Sequence, residues 1–94
     1  MSFFAFEVDG LVQGVFFRKN TRKKAMTLGL RGWIRNHPAG HVEGVAIGPK
    51  YKLDELKEYL AHGPRGARVD KVTIVREGEG EGGEEVGGEF TIRR

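Results

Sequence analysis

The chain contains no cysteine. Disulfide staples, thiolate nucleophiles and cysteine-ligated zinc are therefore excluded, and a reducing, cytoplasmic setting is expected. Proline is scarce, at three residues, so few elements are interrupted from within. Long apolar runs are missing too: none approaches the roughly 18 residues that a membrane-crossing helix requires. The Met1-Ser2-Phe3-Phe4 start has neither a basic segment nor a long apolar one, so no secretory leader is expected.

What is present fits one globular domain spanning residues 1–94, with 38% apolar and 10% aromatic residues. One compact domain suggests a monomer. The formal charge of +3 conceals an asymmetry. Residues 77–89 hold six Glu and six Gly around Val86, and setting those six acids aside leaves the other 81 residues at +9. A basic body favours anionic partners. The Glu/Gly tract itself, rich in like charges and costly to order, is expected to be a mobile excursion and not a packed element.

Phe3–Val8 reads as a strand closed by the Asp9-Gly10 turn signal. The period then changes: Phe17, Thr21, Ala25 and Leu28 share one helical face, and Gly29 stands where a C-cap belongs, which predicts a helix over 17–28. Leu30–Arg35 and His41–Ile47 flank a Pro-Ala-Gly stretch and predict an antiparallel hairpin. Leu53, Leu56 and Leu60 mark a second helix over 50–61, which Gly63-Pro64 stops. Arg68–Arg76 alternates as a strand, and Phe90–Arg93 supplies a last short one. The order predicts an α+β, ferredoxin-like βαββαβ sandwich: an antiparallel sheet, two helices on one face and a short C-terminal strand.

Between the first strand and the first helix lies Gly10-Leu11-Val12-Gln13-Gly14-Val15-Phe16-Phe17-Arg18. Gly10 and Gly14 can take positive φ and block nothing, so the amides of this connection can form a cup for an oxyanion. The positive end of the following helix adds to it. Arg18, in the first turn, is mildly unfavourable against the helix dipole unless an anion sits between them, and its planar fork suits two phosphate oxygens. The magnesium-triphosphate loop pattern is not met. A structural turn is the competing account of the glycines.

That nonapeptide, followed by Ala25, Leu28-Gly29-Leu30, Gly32-Trp33-Ile34-Arg35-Asn36, Gly40 and Val42-Glu43-Gly44, resembles the acylphosphatase family. The resemblance is densest over residues 6–48 and extends to Gly88-Glu89-Phe90-Thr91-Ile92. It implies a small enzyme that hydrolyses the carboxyl–phosphate bond of acyl phosphates with no cofactor, no metal and no covalent intermediate. It also implies that the amides of Leu11, Val12, Gln13, Gly14 and Val15, with Arg18, bind the phosphoryl group, and that Asn36 holds the attacking water. Ala39 departs from the acidic residue the family often has before the turn glycine. The 94-residue length is expected of the free-standing enzyme and not of the similar domains within larger carbamoyl-transfer proteins.

Other residues invite different readings. His37 and His41, four apart, suggest a metal, but a catalytic zinc needs a third ligand, for which the sequence offers only His62 and scattered acids. A turn-surface role is expected, with no metal. The aromatic residues Phe3, Phe4, Phe6, Phe16, Phe17 and Trp33 are expected mainly to pack the core, one of them at the surface lining a substrate mouth. His41–Ile47 has no aromatic residue, unlike the corresponding strand of RNA-recognition domains, so no nucleic-acid partner is expected. Arg22-Lys23-Lys24 is expected to be solvated. A non-enzymatic anion- or nucleic-acid-binding module on the same fold is the alternative function.

Overall fold

The computed structural model describes residues 1–14 and 16–94. The first strand, β1, spans Ser2–Leu11, and both of its faces are covered. Phe4, Phe6 and Val8 join one apolar cluster, whereas Phe3 and Ala5 join another on the opposite face. This double burial explains why the segment reads as almost continuously apolar. The helix α1, Phe17–Thr27, follows, then β2, Arg31–Asn36, and β3, Val42–Gly48. The second helix, α2, covers Lys50–His62, and two further strands complete the chain, β4 over Arg68–Glu79 and β5 over Phe90–Ile92.

The strands form one sheet in the order β4-β1-β3-β2-β5. Both helices lie on the face of Phe4, Phe6 and Val8, with α1 over β2 and β5 and α2 over β4 and β1. Phe17, Thr21, Ala25 and Leu28, read as one helical face, are all buried there, as are Leu53, Leu56 and Leu60. The expected two-helix, ferredoxin-like arrangement is therefore observed.

Three features differ from expectation. First, β1 does not end at Asp9-Gly10 but continues to Leu11 through an irregularity against β4. Gly10 has φ 136°, and a Cβ there would overlap the Arg68 carbonyl oxygen. It is glycine because another backbone passes so close, not because it lines a cup. Second, β5 pairs in parallel with β2, so the sheet is mixed and not wholly antiparallel. The chain reaches that edge by crossing the outer face of the sheet after β4, and arrives running in the direction of β2.

Third, the Glu/Gly tract is packed. Its first residues extend β4 to Glu79, and the remainder lies across the outer cluster of Phe3, Ala5, Val45 and Ile47, with Val86 and Trp33 against it. Glu84 accepts a 3.0 Å hydrogen bond from Trp33 Nε1 and pairs with Arg76, and Glu81 pairs with Arg31 at 3.1 Å. The like charges seen in isolation meet counterions from the basic body. Gly82 lets the backbone pass directly over Phe3, where a Cβ would come within 2.6 Å of the ring. Arg22, expected to be only solvated, donates to the Phe90 carbonyl at 3.1 Å and ties β5 to α1.

Candidate active site

Helix α1 starts with the wrong charges for its own dipole. No acidic residue stands in its first turn, and no side chain caps it. Arg18 and Lys19 instead occupy the positively polarised end, where cations are disfavoured by a few tenths of a kcal/mol to about 1 kcal/mol each. The residue before the helix, Phe16, has φ 59° and ψ 24°, and it is the one non-glycine residue with positive φ among those described. A bulky side chain in that conformation is strained. Its ring is exposed and lies 5.8 Å from Lys19 Nζ.

Beside this helix end is a half-open cleft of about 240 Å³, lined by Val12, Gly14, Phe16, Phe17, Arg18, Lys19, Asn36 and Ile92. Two of these residues are cations and none is an acid. Gly14, with φ 74°, faces open space, with nothing within 4 Å of where a Cβ would be. No acid or carbonyl among the described residues engages the Arg18 guanidinium. Asn36 comes to the cleft from the end of β2, and its Oδ1 is shielded from solvent without a hydrogen-bond partner among the described residues. Rotation of the carboxamide about χ2 exchanges Oδ1 for Nδ2, so the group can present an acceptor or a donor.

Of the residues singled out in the sequence, Val12, Gly14, Arg18 and Asn36 meet in this cleft, from parts of the chain that only the fold brings together. Val15 lies outside the described residues. Leu11 ends β1, paired with Arg68 and exposed, and does not line the cleft. The Gln13 side chain turns to the β2–β3 hairpin instead, donating to the carbonyl oxygens of His37 at 3.0 Å and His41 at 3.1 Å. Phe16 is the surface aromatic at the mouth. Lys19 and Ile92 line the cleft without having been singled out; the available signal was a second cation beside Arg18 at a helix start.

The expected hairpin is formed between β2 and β3, and its turn is closed. His37 N donates to His41 O at 2.8 Å and Gly40 N to His37 O at 3.0 Å, so Ala39 is accommodated in a closed turn. Of the further ligands that the sequence offered, His62 and scattered acids, it is an acid that comes near the two histidines. The register of β2 and β3 pairs Arg35 with Glu43, and the Glu43 carboxylate lies with His37 and His41 in a group whose ligand atoms are within 4.8 Å of one another.

The family model described as Acylphosphatase matches residues 4–92. A curated relative from Acaryochloris marina, named Acylphosphatase, is 47% identical over 74 residues, which is 79% of this chain and 80% of that protein. The crystal structure of an acylphosphatase from Bacillus subtilis superposes with a TM-score of 0.89 at 31% identity, covering 100% of both chains. The structure of an acylphosphatase from Coxiella burnetii gives 0.86 at 39% identity, over 98% of this chain and 92% of that one.

Proposed function

Since the chain belongs to the acylphosphatase family, hydrolases acting on acid anhydrides, we propose that it cleaves acyl phosphates in the cleft at the start of α1. The phosphoryl group is held by amides of the loop over residues 12–15 and by Arg18, and the attacking water is held by Asn36. The observation that carries this assignment is the cleft itself, in which Gly14, Arg18 and Asn36 meet at an uncapped, positively polarised helix end with no acid in the lining.

An acyl phosphate places two or more negative charges on a small group, which offsets the repulsion between Arg18, Lys19 and the helix dipole. Arg18 spans two phosphoryl oxygens. The carboxylate leaving group has a conjugate-acid pKa near ~4 and departs without a protonating side chain. Attack in line through a loose transition state then needs position and charge stabilisation more than covalent chemistry. Asn36 is neutral and too weak a base to take the proton, so it orients the water and the proton passes to the phosphate or to solvent. None of these steps calls on a metal. The acyl part meets mainly apolar lining, with Phe16 the exposed ring among it, which favours broad tolerance of acyl groups; we take the enzyme to be monomeric and cytoplasmic.

Hydrolysis of an aryl acyl phosphate at neutral pH with excess chelator tests the assignment. Turnover by the wild type, lost in both Arg18→Ala and Asn36→Ala of confirmed fold, supports both roles. A folded wild type without turnover refutes the enzyme assignment, and normal rates in either variant refute that residue's role.

A further inference from the structure

We propose that the turn closing the β2–β3 hairpin binds one divalent transition ion of the zinc and copper class, held by His37, His41 and Glu43. These three side chains cluster where the β2–β3 hairpin turns, none of them lines the α1 cleft, and the cleft's chemistry does not use them. Their ligand atoms are within 4.8 Å of one another. Zinc takes imidazole nitrogen and carboxylate oxygen at about 2.0–2.2 Å, which puts tetrahedral donors roughly 3.3 Å apart. The three tips therefore need to draw in by no more than about 1.5 Å. Two imidazoles and one carboxylate are a borderline-soft set, suited to zinc or copper and unsuited to magnesium or calcium, which prefer oxygen throughout.

Two of the three donors have capacity left for an ion. His41 Nε2 is shielded from solvent and makes no hydrogen bond among the described residues, with Glu7 Oε2 at 3.5 Å. Arg35 engages only Oε1 of Glu43, from Nη2 at 2.7 Å and Nε at 2.9 Å, which leaves Oε2. That ring nitrogen is shielded from solvent with only a long contact to the Glu7 carboxylate, which satisfies it poorly and which a bound ion would improve on. The charges that the ion pairs bring to the turn among the described residues also favour a cation: Glu7 and Glu43, against Arg35.

Two adjustments are required. The imidazoles are stacked, with centroids 4.3 Å apart and planes 13° from parallel, so their in-plane lone pairs run side by side. A turn about χ2, a broad torsion for histidine, makes them converge. In addition, His37 Nδ1 accepts a 3.0 Å bond from the Ala39 amide. Ligation at Nδ1 displaces that amide, and ligation at Nε2 moves the ring proton to Nδ1, so either mode releases it. Ala39 is exposed, and water takes over. The bound ion clamps the turn whose two carbonyl oxygens hold Gln13, and takes no part in phosphoryl transfer.

The test uses the full chain, stripped of metal, in a buffer without phosphate or chelator. Calorimetric titration with zinc chloride is expected to show one ion per chain, weakened at least tenfold by His37→Ala, by His41→Ala and by Glu43→Gln, and unchanged by His62→Ala. Copper(II) is expected to give an electron paramagnetic resonance spectrum with coupling to two nitrogens, reduced to one in either histidine variant, and zinc is expected to shift the Ala39 amide resonance. Each variant's amide spectrum verifies its fold. Absence of binding, binding that survives loss of both histidines, or loss on His62→Ala overturns the proposal.

Discussion

Gln13 Nε2 lies 3.0 Å from the His37 carbonyl oxygen, and through this bond the loop after β1 is fastened to the turn that directly follows Asn36. A second bond from the same nitrogen, to His41 O at 3.1 Å, makes the fastening a bridge across the turn. The loop and the strand that carries Asn36 are thus set relative to each other by one neutral side chain that does not line the cleft. Gln13→Ala is expected to cost about 1–3 kcal/mol in stability, from two partly buried carbonyls losing their donor. Because an ångström of misplacement can cost about 10²-fold in rate, kcat is expected to fall more than KM rises. Urea denaturation and steady-state kinetics check both; unchanged kcat in a destabilised variant would confine Gln13 to a structural part.

The αL conformation of Phe16 makes a comparison of glycine with alanine informative. In most helix-adjacent positions glycine is the less stable of the two, because its unfolded chain has more freedom. At φ 59° the penalty for a Cβ reverses the order. Phe16→Gly is expected to be about 1 kcal/mol more stable than Phe16→Ala, measured by thermal or urea unfolding. The opposite order would mean that this residue leaves the left-handed region in solution.

The helix periods, the hairpin and the loop-plus-Arg18 pattern were readable because they are local: one face repeats, one turn signal closes, one cation stands at a helix start. The resemblance in the sequence brought Asn36 to the same site, which no spacing rule links to residue 18. What could not be read depends on partners far along the chain. Gly10 looked like a cup residue, yet its constraint is the Arg68 carbonyl oxygen of β4. The glutamates of 77–89 looked mutually repulsive because Arg31, which pairs with Glu81, belongs to β2, and Arg76 meets Glu84 only once the chain folds back past the end of β4. Glu43 was invisible as a neighbour of His37 and His41 until the hairpin register was known.

The strap over the outer face has one point of close passage. Gly82 has φ 65°, and a Cβ would stand 2.6 Å from the Phe3 ring, itself buried beneath. Gly82→Ala must either push Phe3 aside or lift the segment, and lifting it strains the Arg76 to Gly82 O bond of 3.0 Å. A loss of about 1–3 kcal/mol is expected. The α1 cleft is on the other side of the sheet, so kcat and KM of the folded variant should stay near wild type. A variant as stable as wild type would show that the strap does not hold the outer cluster in solution.

Tyr59 carries the clearest pH signature. Burial against α2's surroundings raises its phenol above the ordinary value of 10.0, because the phenolate is poorly solvated there. Above pH 10.0 the unfolded chain loses this proton more readily than the folded one. The folded state then binds more protons, and stability falls as pH rises. Below that range the group contributes no slope. Tyr59→Phe is therefore expected to lose stability less steeply between neutral pH and pH 11 than wild type. Lysine titration is common to both proteins, so the difference isolates Tyr59; parallel curves would contradict the assigned burial.

Arg18 should move activity and stability in opposite directions. Without an anion its guanidinium stands at the positive end of α1 beside Lys19, in a first turn that has no acid and no side-chain cap. Arg18→Ala removes that repulsion and introduces a better helix former, for an expected gain of about 0.3–1 kcal/mol in phosphate-free buffer. The same change deletes a charged donor to the reacting phosphoryl group, and kcat/KM is expected to fall by about 10²–10³-fold. Inorganic phosphate separates the two effects: it should raise the melting temperature of wild type and do so far less in the variant. If Arg18→Ala is destabilised in phosphate-free buffer, then the arginine is serving the fold, and the case for a helix end held ready for an oxyanion loses its energetic basis.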